Sequence, residues 1–329
     1  MIRKRKIVII LSCVLAIGIL FSGCGSKDTS SSSTSNVSSN STTNAVSTLP
    51  NSTAADKTEN PLWKMVTEAV VKHDNYLIGF LNEKLGITVG VAGEIHYTED
   101  GGKTWPKSVN NSACRWGLDI LNENLAWSCG DASNIRVSKD MGKNWNAVAD
   151  CKGPCKFISF VDDKTGWVAN SDWLQATTDS GATWKDITLP KELNTIAAIN
   201  LISANEGYAL NGDGMLYSTK DGGKTWSTPN DVGIKNLKID NNVIPVTISA
   251  SAAIRFTDSN NGVIVFNART GTDGNVWALK TSDGGKTWST QALNMDKVYS
   301  QSSVYLSHDG KYLTLRSESG KFGLFLLKL

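Results

Sequence analysis

Thr98-Glu99-Asp100-Gly101-Gly102-Lys103-Thr104-Trp105 decides the fold, because the chain writes it five times. It returns as Ser138-Lys139-Asp140-Met141-Gly142-Lys143-Asn144-Trp145, then at Thr177 to Trp184, Thr219 to Trp226 and Thr281 to Trp288. All five copies obey Ser/Thr-x-Asp-x-Gly-x-Thr/Asn-Trp, which we call the box. The residue types are those of a turn. Asp accepts hydrogen bonds from the backbone N–H groups that follow it, and Gly supplies a positive φ. The Ser/Thr hydroxyl ties the two limbs together. The Trp closes the loop on a sheet, burying roughly 150–250 Å². Asp100, Asp140, Asp179, Asp221 and Asp283, with Trp105, Trp145, Trp184, Trp226 and Trp288, are therefore structural.

The surroundings of each box repeat as well. Ile87, Trp127, Trp167 and Tyr208 lie 17 or 18 residues before a box Trp. Apolar runs such as Phe157-Ile158-Ser159-Phe160-Val161 precede them, each followed by a polar turn. The unit reads strand A, tight turn, strand B, loop, strand C, box, strand D. Four short strands in ~40–45 residues is the size of one propeller blade. The box tryptophans step by 40, 39, 42 and 62 residues, so the last step carries insertions, at 229 to 250 and at Arg269 to Asn275.

A sixth unit has no box: Ser303 to Leu306, Tyr312 to Leu315 and Phe322 to Leu327 supply strands A, B and C. Its outer strand is expected from Trp63 to Val70, ahead of blade one. That pairing closes the ring and removes its open edges. The expectation is an all-β, six-bladed propeller of four-stranded antiparallel blades over 61 to 329. Seven blades, with 229 to 250 as a short blade, is the alternative.

The eight-residue repeat resembles the Asp-box (BNR repeat) of sialidase-like, sortilin-like and photosystem assembly-factor-like propellers. That resemblance places an active or binding site on the face opposite the boxes, where the B–C and D–A loops cluster. The irregular segments fall on that face: the link Ala149 to Cys155, the insertion 229 to 250, and the loop Arg269 to Asn275. Loops that vary on a rigid scaffold carry function. Arg115, Trp116, Trp173, Arg269 and Asp273 are the candidate binding residues there. A sialidase-like site needs three arginines, one on the first blade's inner strand. Tyr76-Leu77-Ile78-Gly79-Phe80 has none. A hydrolase using two carboxylates would draw on Asp119, Asp131, Asp172, Asp213 or Asp273. The favoured reading is non-catalytic binding or scaffolding for a protein or glycan; the glycoside hydrolase is its alternative.

The N-terminus sets the location. Arg3, Lys4, Arg5 and Lys6 precede an apolar run from Ile7 to Phe21, the layout of a secretory signal. Phe21-Ser22-Gly23-Cys24 resembles the lipobox of bacterial lipoproteins. The resemblance implies a signal over 1 to 23 and a diacylglycerol on Cys24, facing the extracytoplasmic side of the membrane. Two acyl chains anchor stably where one does not. Residues 25 to 60 are dominated by Ser, Thr, Asn and Ala and read as a flexible tether.

Beyond the signal, 29 Lys and Arg stand against 31 Asp and Glu, which gives no electrostatic footprint for nucleic acid. Three His in the whole chain argue against a His-based metal site, and no cofactor motif is present. Cys114, Cys129, Cys151 and Cys155 are candidates for two disulfides in an exported chain. Cys151 with Cys155 is one pairing, and a blade-to-blade bridge from Cys114 to Cys155 is the other.

Overall fold

The computed structural model describes residues 63–70, 75–90, 93–109, 115–234, 237–239, 242–243, 252–270, 273–295, 303–317 and 321–328. The signal, Cys24, the tether and Cys114 lie outside them. The described chain forms six four-stranded antiparallel sheets. Blade one is Asn75–Phe80, Gly86–Gly90, Ile95–Thr98 and Lys107–Val109, strands A to D in order. Blades two to five begin with strands A at Arg115–Asn122, Phe157–Phe160, Ile196–Leu201 and Ala252–Phe256. Blade six takes A, B and C from Ser303–Leu306, Tyr312–Arg316 and Lys321–Leu327. Its outer strand is Trp63–Val70, in register from Trp63 opposite Leu327 to Val70 opposite Lys321. The expected closure by the N-terminal strand is therefore observed.

The described residues between 229 and 250 form no seventh blade. Asn230–Asp231 is strand D of blade four, and Lys238–Ile239 pairs only with Asn242–Val243. Nor is the segment simply a surface link. Val232, Ile234 and Leu237 are buried in the cluster between blades four and five.

Burial falls from the axis outward, and composition follows. Strand A of blade four is buried at all six positions, while strand D of blade three reads exposed, exposed, half-buried. An inner strand with a blade on either side has no wet face, so it is written as a near-continuous apolar run. The A strands pack each against the next around a closed circle. Six apolar clusters result, one at each interface between neighbouring blades.

The boxes seal those interfaces. In the first box the Thr98 hydroxyl donates to Asp100 Oδ1 (2.8 Å) and accepts from Gly102 N (2.8 Å). Asp100 Oδ1 also accepts from Lys103 N and Thr104 N, and Oδ2 accepts from the Thr104 hydroxyl at 2.6 Å. Those donors, the Thr104 hydroxyl first, hold the Asp100 carboxyl down at about 2. Two consecutive left-handed residues make each turn. They are Gly101 and Gly102 here, but Met141 (φ 55°) and Ser180 (φ 62°) take the first position in the second and third boxes. Trp105, Trp184 and Trp288 then set their edges against Phe80, Phe160 and Phe256, the last residues of their own A strands. On the other side each Phe is stacked by an aromatic of the preceding blade: Phe322, Trp127 and Tyr208.

Candidate functional site

The A strands enclose a cavity of about 90 Å³ to which all six blades contribute. Leu77, Leu118, Ile158, Ile199, Ile254 and Val304 line it together with Arg255 and Tyr305. Trp116, Lys156 and Phe157 line the end where the A strands begin, which is the face of the B–C and D–A loops. Trp116 and Phe157 are half-buried and Lys156 is exposed, so this mouth offers two aromatic faces and a cation.

The other end, on the face of the boxes, is closed by polar side chains. At equivalent positions near the ends of the A strands, one residue before the last in five blades and three before it in the longer strand of blade two, successive blades carry Gly79, Asp119, Ser159, Asn200, Arg255 and Tyr305. Asp119, Ser159, Asn200 and Arg255 each reach the next blade's backbone. Asp119 Oδ2 accepts from Phe160 N (2.7 Å), Ser159 Oγ from Leu201 N (2.9 Å) and Asn200 Oδ1 from Phe256 N (2.6 Å). Arg255 Nε donates to the Leu306 carbonyl at 3.4 Å. Tyr305 passes over the bare Gly79, where a Cβ would come 2.8 Å from its ring, and its hydroxyl accepts from Ile120 N of blade two (3.1 Å). One further bond crosses the axis: Arg255 Nη2 to Asp119 Oδ1, 2.5 Å, between fully buried Asp119 and 7 % exposed Arg255.

Burial alone would lower the Arg255 pKa, but the Asp119 carboxylate and Tyr305 more than reverse this, and the guanidinium is held charged. Burial pushes the Tyr305 hydroxyl well above its usual range, so it serves as a neutral acceptor. The pattern was open to reading: a polar residue between two apolar ones near each A-strand end, as in Leu118-Asp119-Ile120 and Ile254-Arg255-Phe256. Aligning the A strands by the boxes would have found it.

The residues expected to bind are dispersed. Trp116 stands at the mouth. Arg115 does not project beside it: the side chain is fully buried, donating from Nη1 to the Asn134 carbonyl (2.8 Å). Burial first, then the neighbouring Arg136, lower its pKa to about 10, which leaves it a buried cation at neutral pH. Trp173 is half-buried against the cluster between blades two and three. Arg269 and Asp273 belong to no loop. They end an extended hairpin in which Arg269 faces Gly274 and Thr270 faces Asp273; their side chains lie outside the described set. Strand pairing runs as far as Thr270 opposite Asp273, across a sequence that reads equally well as a loop.

Among the candidate carboxylates, Asp119 is tied to Arg255, Asp131 is half-buried, and Asp172 and Asp213 are exposed on different blades. Among the described residues no three His, Cys, Asp or Glu side chains stand close enough to share a metal ion. Cys129, Cys151 and Cys155 are buried thiols. Lys152 N donates to Gln175 Oε1 at 2.8 Å, which ties the link holding the latter two to blade three.

No family model matches the sequence, and no curated protein matches it. Solved structures do share its shape. A structure titled YCF48 bound to D1 peptide is 17 % identical, covers 82 % of this chain and 98 % of its own, and superposes with a TM-score of 0.52. YCF48 from Cyanidioschyzon merolae is 17 % identical over 80 % and 98 %, at 0.50. The WD40 repeats of RRP9 are 8 % identical over 80 % and 99 %, at 0.57. At such identities the likeness is one of fold: this chain is a β-propeller.

Proposed function

We propose that this chain is a non-catalytic Asp-box propeller, held at the outer face of a bacterial membrane by a lipid on Cys24, that captures a partner protein on its B–C and D–A face. The observation that carries this reading is the closed floor. Asp119, Arg255 and Tyr305 are buried and bonded at the box-face end of the axis, and among the described residues Trp116, Lys156 and Phe157 line the central concavity at the other end. At about 90 Å³ it is far below the roughly 300–1,000 Å³ of small-molecule sites. Recognition by surface contact fits such a mouth, with aromatic anchors and a cation as the elements that dominate protein interfaces. That a structurally similar propeller, YCF48, is titled as bound to a peptide supports the same choice. Of the carboxylates named for hydrolysis, Asp119 is bound to Arg255, and Asp172 and Asp213 are exposed on different blades.

The lysines make the test two-sided. Lys152 and Lys156 are exposed beside the mouth, whereas Lys103, Lys143, Lys224 and Lys286 are exposed in the boxes. Amine cross-linking on intact cells, followed by peptide mapping, should join a partner through Lys152 or Lys156, and Trp116→Ala should weaken its capture. Cross-links confined to the box lysines would reverse the choice of face. Retention on a glycan array that depends on Trp116, with no protein cross-linked, would replace the protein by a glycan.

A further inference from the structure

We propose that Cys151 and Cys155 are a dithiol that oxidises to an intrachain disulfide, closing the Lys152-Gly153-Pro154 turn beside the mouth and leaving Cys129 as a thiol. The two Sγ atoms stand 3.6 Å apart. Their backbones are already fixed: Cys151 N donates to the Ser133 carbonyl (3.0 Å) and Cys155 N to the Gly130 carbonyl (2.9 Å). Little chain entropy remains to be lost on joining them. Cys129 Sγ lies against the carbonyls of Cys155 (3.4 Å) and Phe157 (3.9 Å) and also touches the Cys155 thiol, which makes it the competing partner that the test must exclude.

The chemistry is thiol–disulfide exchange with a small-molecule disulfide as oxidant. Cys151, 8 % exposed against 0 % for Cys155, is the entry point. Its thiolate attacks one sulfur of the oxidant and expels a thiolate. Cys155 then loses its proton and attacks the Cys151 sulfur of the mixed disulfide, expelling the second thiolate. Two protein S–H bonds become one S–S bond, and the oxidant leaves as two thiols. The hydrogen bond to Cys155 and burial push the Cys151 thiol up, and burial pushes Cys155 up, so oxidation is slow at neutral pH and quickens as pH rises. The product would staple the link that carries Lys156 and Phe157.

The full chain, reduced and freed of reductant, should be incubated with oxidised glutathione at about pH 8, denatured in alkylating agent, digested without reduction and mapped by mass. The expected product links the Cys151 and Cys155 peptides, lighter by two hydrogen atoms, with Cys129 alkylated. Cys155→Ser should stop at a glutathione adduct on Cys151, and Cys129→Ser should oxidise at the parent's rate within about twofold. A bridge from Cys155 to Cys129 or Cys114, a stable glutathione adduct on the parent, or Cys151 and Cys155 both recovered alkylated would each overturn the assignment.

Discussion

Arg255→Leu tests whether the floor of the channel is a coupled ion pair. The substitution removes the bond to Asp119, the bond to the Leu306 carbonyl and the contact with Tyr305. It leaves the fully buried Asp119 carboxylate with the Phe160 N–H as its described partner. Stripping one member from a buried pair costs about 3–5 kcal/mol, chiefly because the other charge stays behind. For a chain of this size that is a fall of about 10 °C in melting temperature. Urea unfolding of the parent, Arg255→Leu, Asp119→Asn and the double variant at pH 7 closes a cycle. The Asp119→Asn side chain keeps an oxygen for Phe160 N and carries no charge, so the double variant should recover about 2 kcal/mol relative to the summed singles. Arg255→Leu within about 1 kcal/mol of the parent, or singles that simply add, would refute the reasoning.

Replacing a box Asp by Ala should cost about 1–3 kcal/mol by urea melt and leave partner capture by the folded fraction intact. Because Asp100, Asp179, Asp221 and Asp283 are held down at about 2, below the unfolded value, their contribution is full above about pH 4. It drains away as pH falls toward about 2, and Asp→Asn variants should flatten that acid limb in circular dichroism. Tyr305→Phe orphans the buried Ile120 N–H and should destabilise by about 1–3 kcal/mol, while Gly79→Ala forces the Tyr305 ring aside; a native melt for both would dissolve the clasp. Deleting 25 to 59 should leave the melting temperature unchanged, whereas deleting 25 to 72 removes Trp63–Val70 and exposes the Lys321–Leu327 edge. Equal behaviour of the two deletions would deny the N-terminal strand its role.

The fold was legible because its signal is repetitive. Five boxes fix the C–D turns, the spacing fixes the blade, and the boxless strands at the two ends have only each other to pair with. The site was less legible because its parts do not repeat. Arg115 opens its blade, where the repeat prescribes no residue type, so nothing in the sequence gives its depth, and the structure puts a nominal surface cation fully inside. Arg269 and Asp273 looked like a loop because Gly and Thr permit one; strand pairing wins there, extending the ladder to Thr270 opposite Asp273. The floor sits between these cases. Its residues differ in type from blade to blade, but their position is constant, and position alone makes them a set.

That set bears on how an irregular chain closes its ring. Blade six lacks the box tryptophan, which in the other blades joins the cluster shared with the preceding blade; in the cluster between blades five and six Trp63 packs instead, and the blade six–blade one interface keeps Trp105 of blade one. Phe322 stacks on Phe80 and meets Trp105 edge-on, taking the place that Trp127 and Tyr208 hold against blades three and five. Gly79 contributes no side chain, and Tyr305 spans the gap to blade two, so the last blade grips two blades rather than one. Trp63 adds a third tie, its indole N–H donating to the Leu293 carbonyl of blade five at 2.6 Å. The blade where the first and last strands pair is therefore tied to three others, blades one, two and five. A floor braced in this way has no freedom to open. Adaptation to a partner must then come from the mouth, whose link at 149 to 156 differs from every other in the ring.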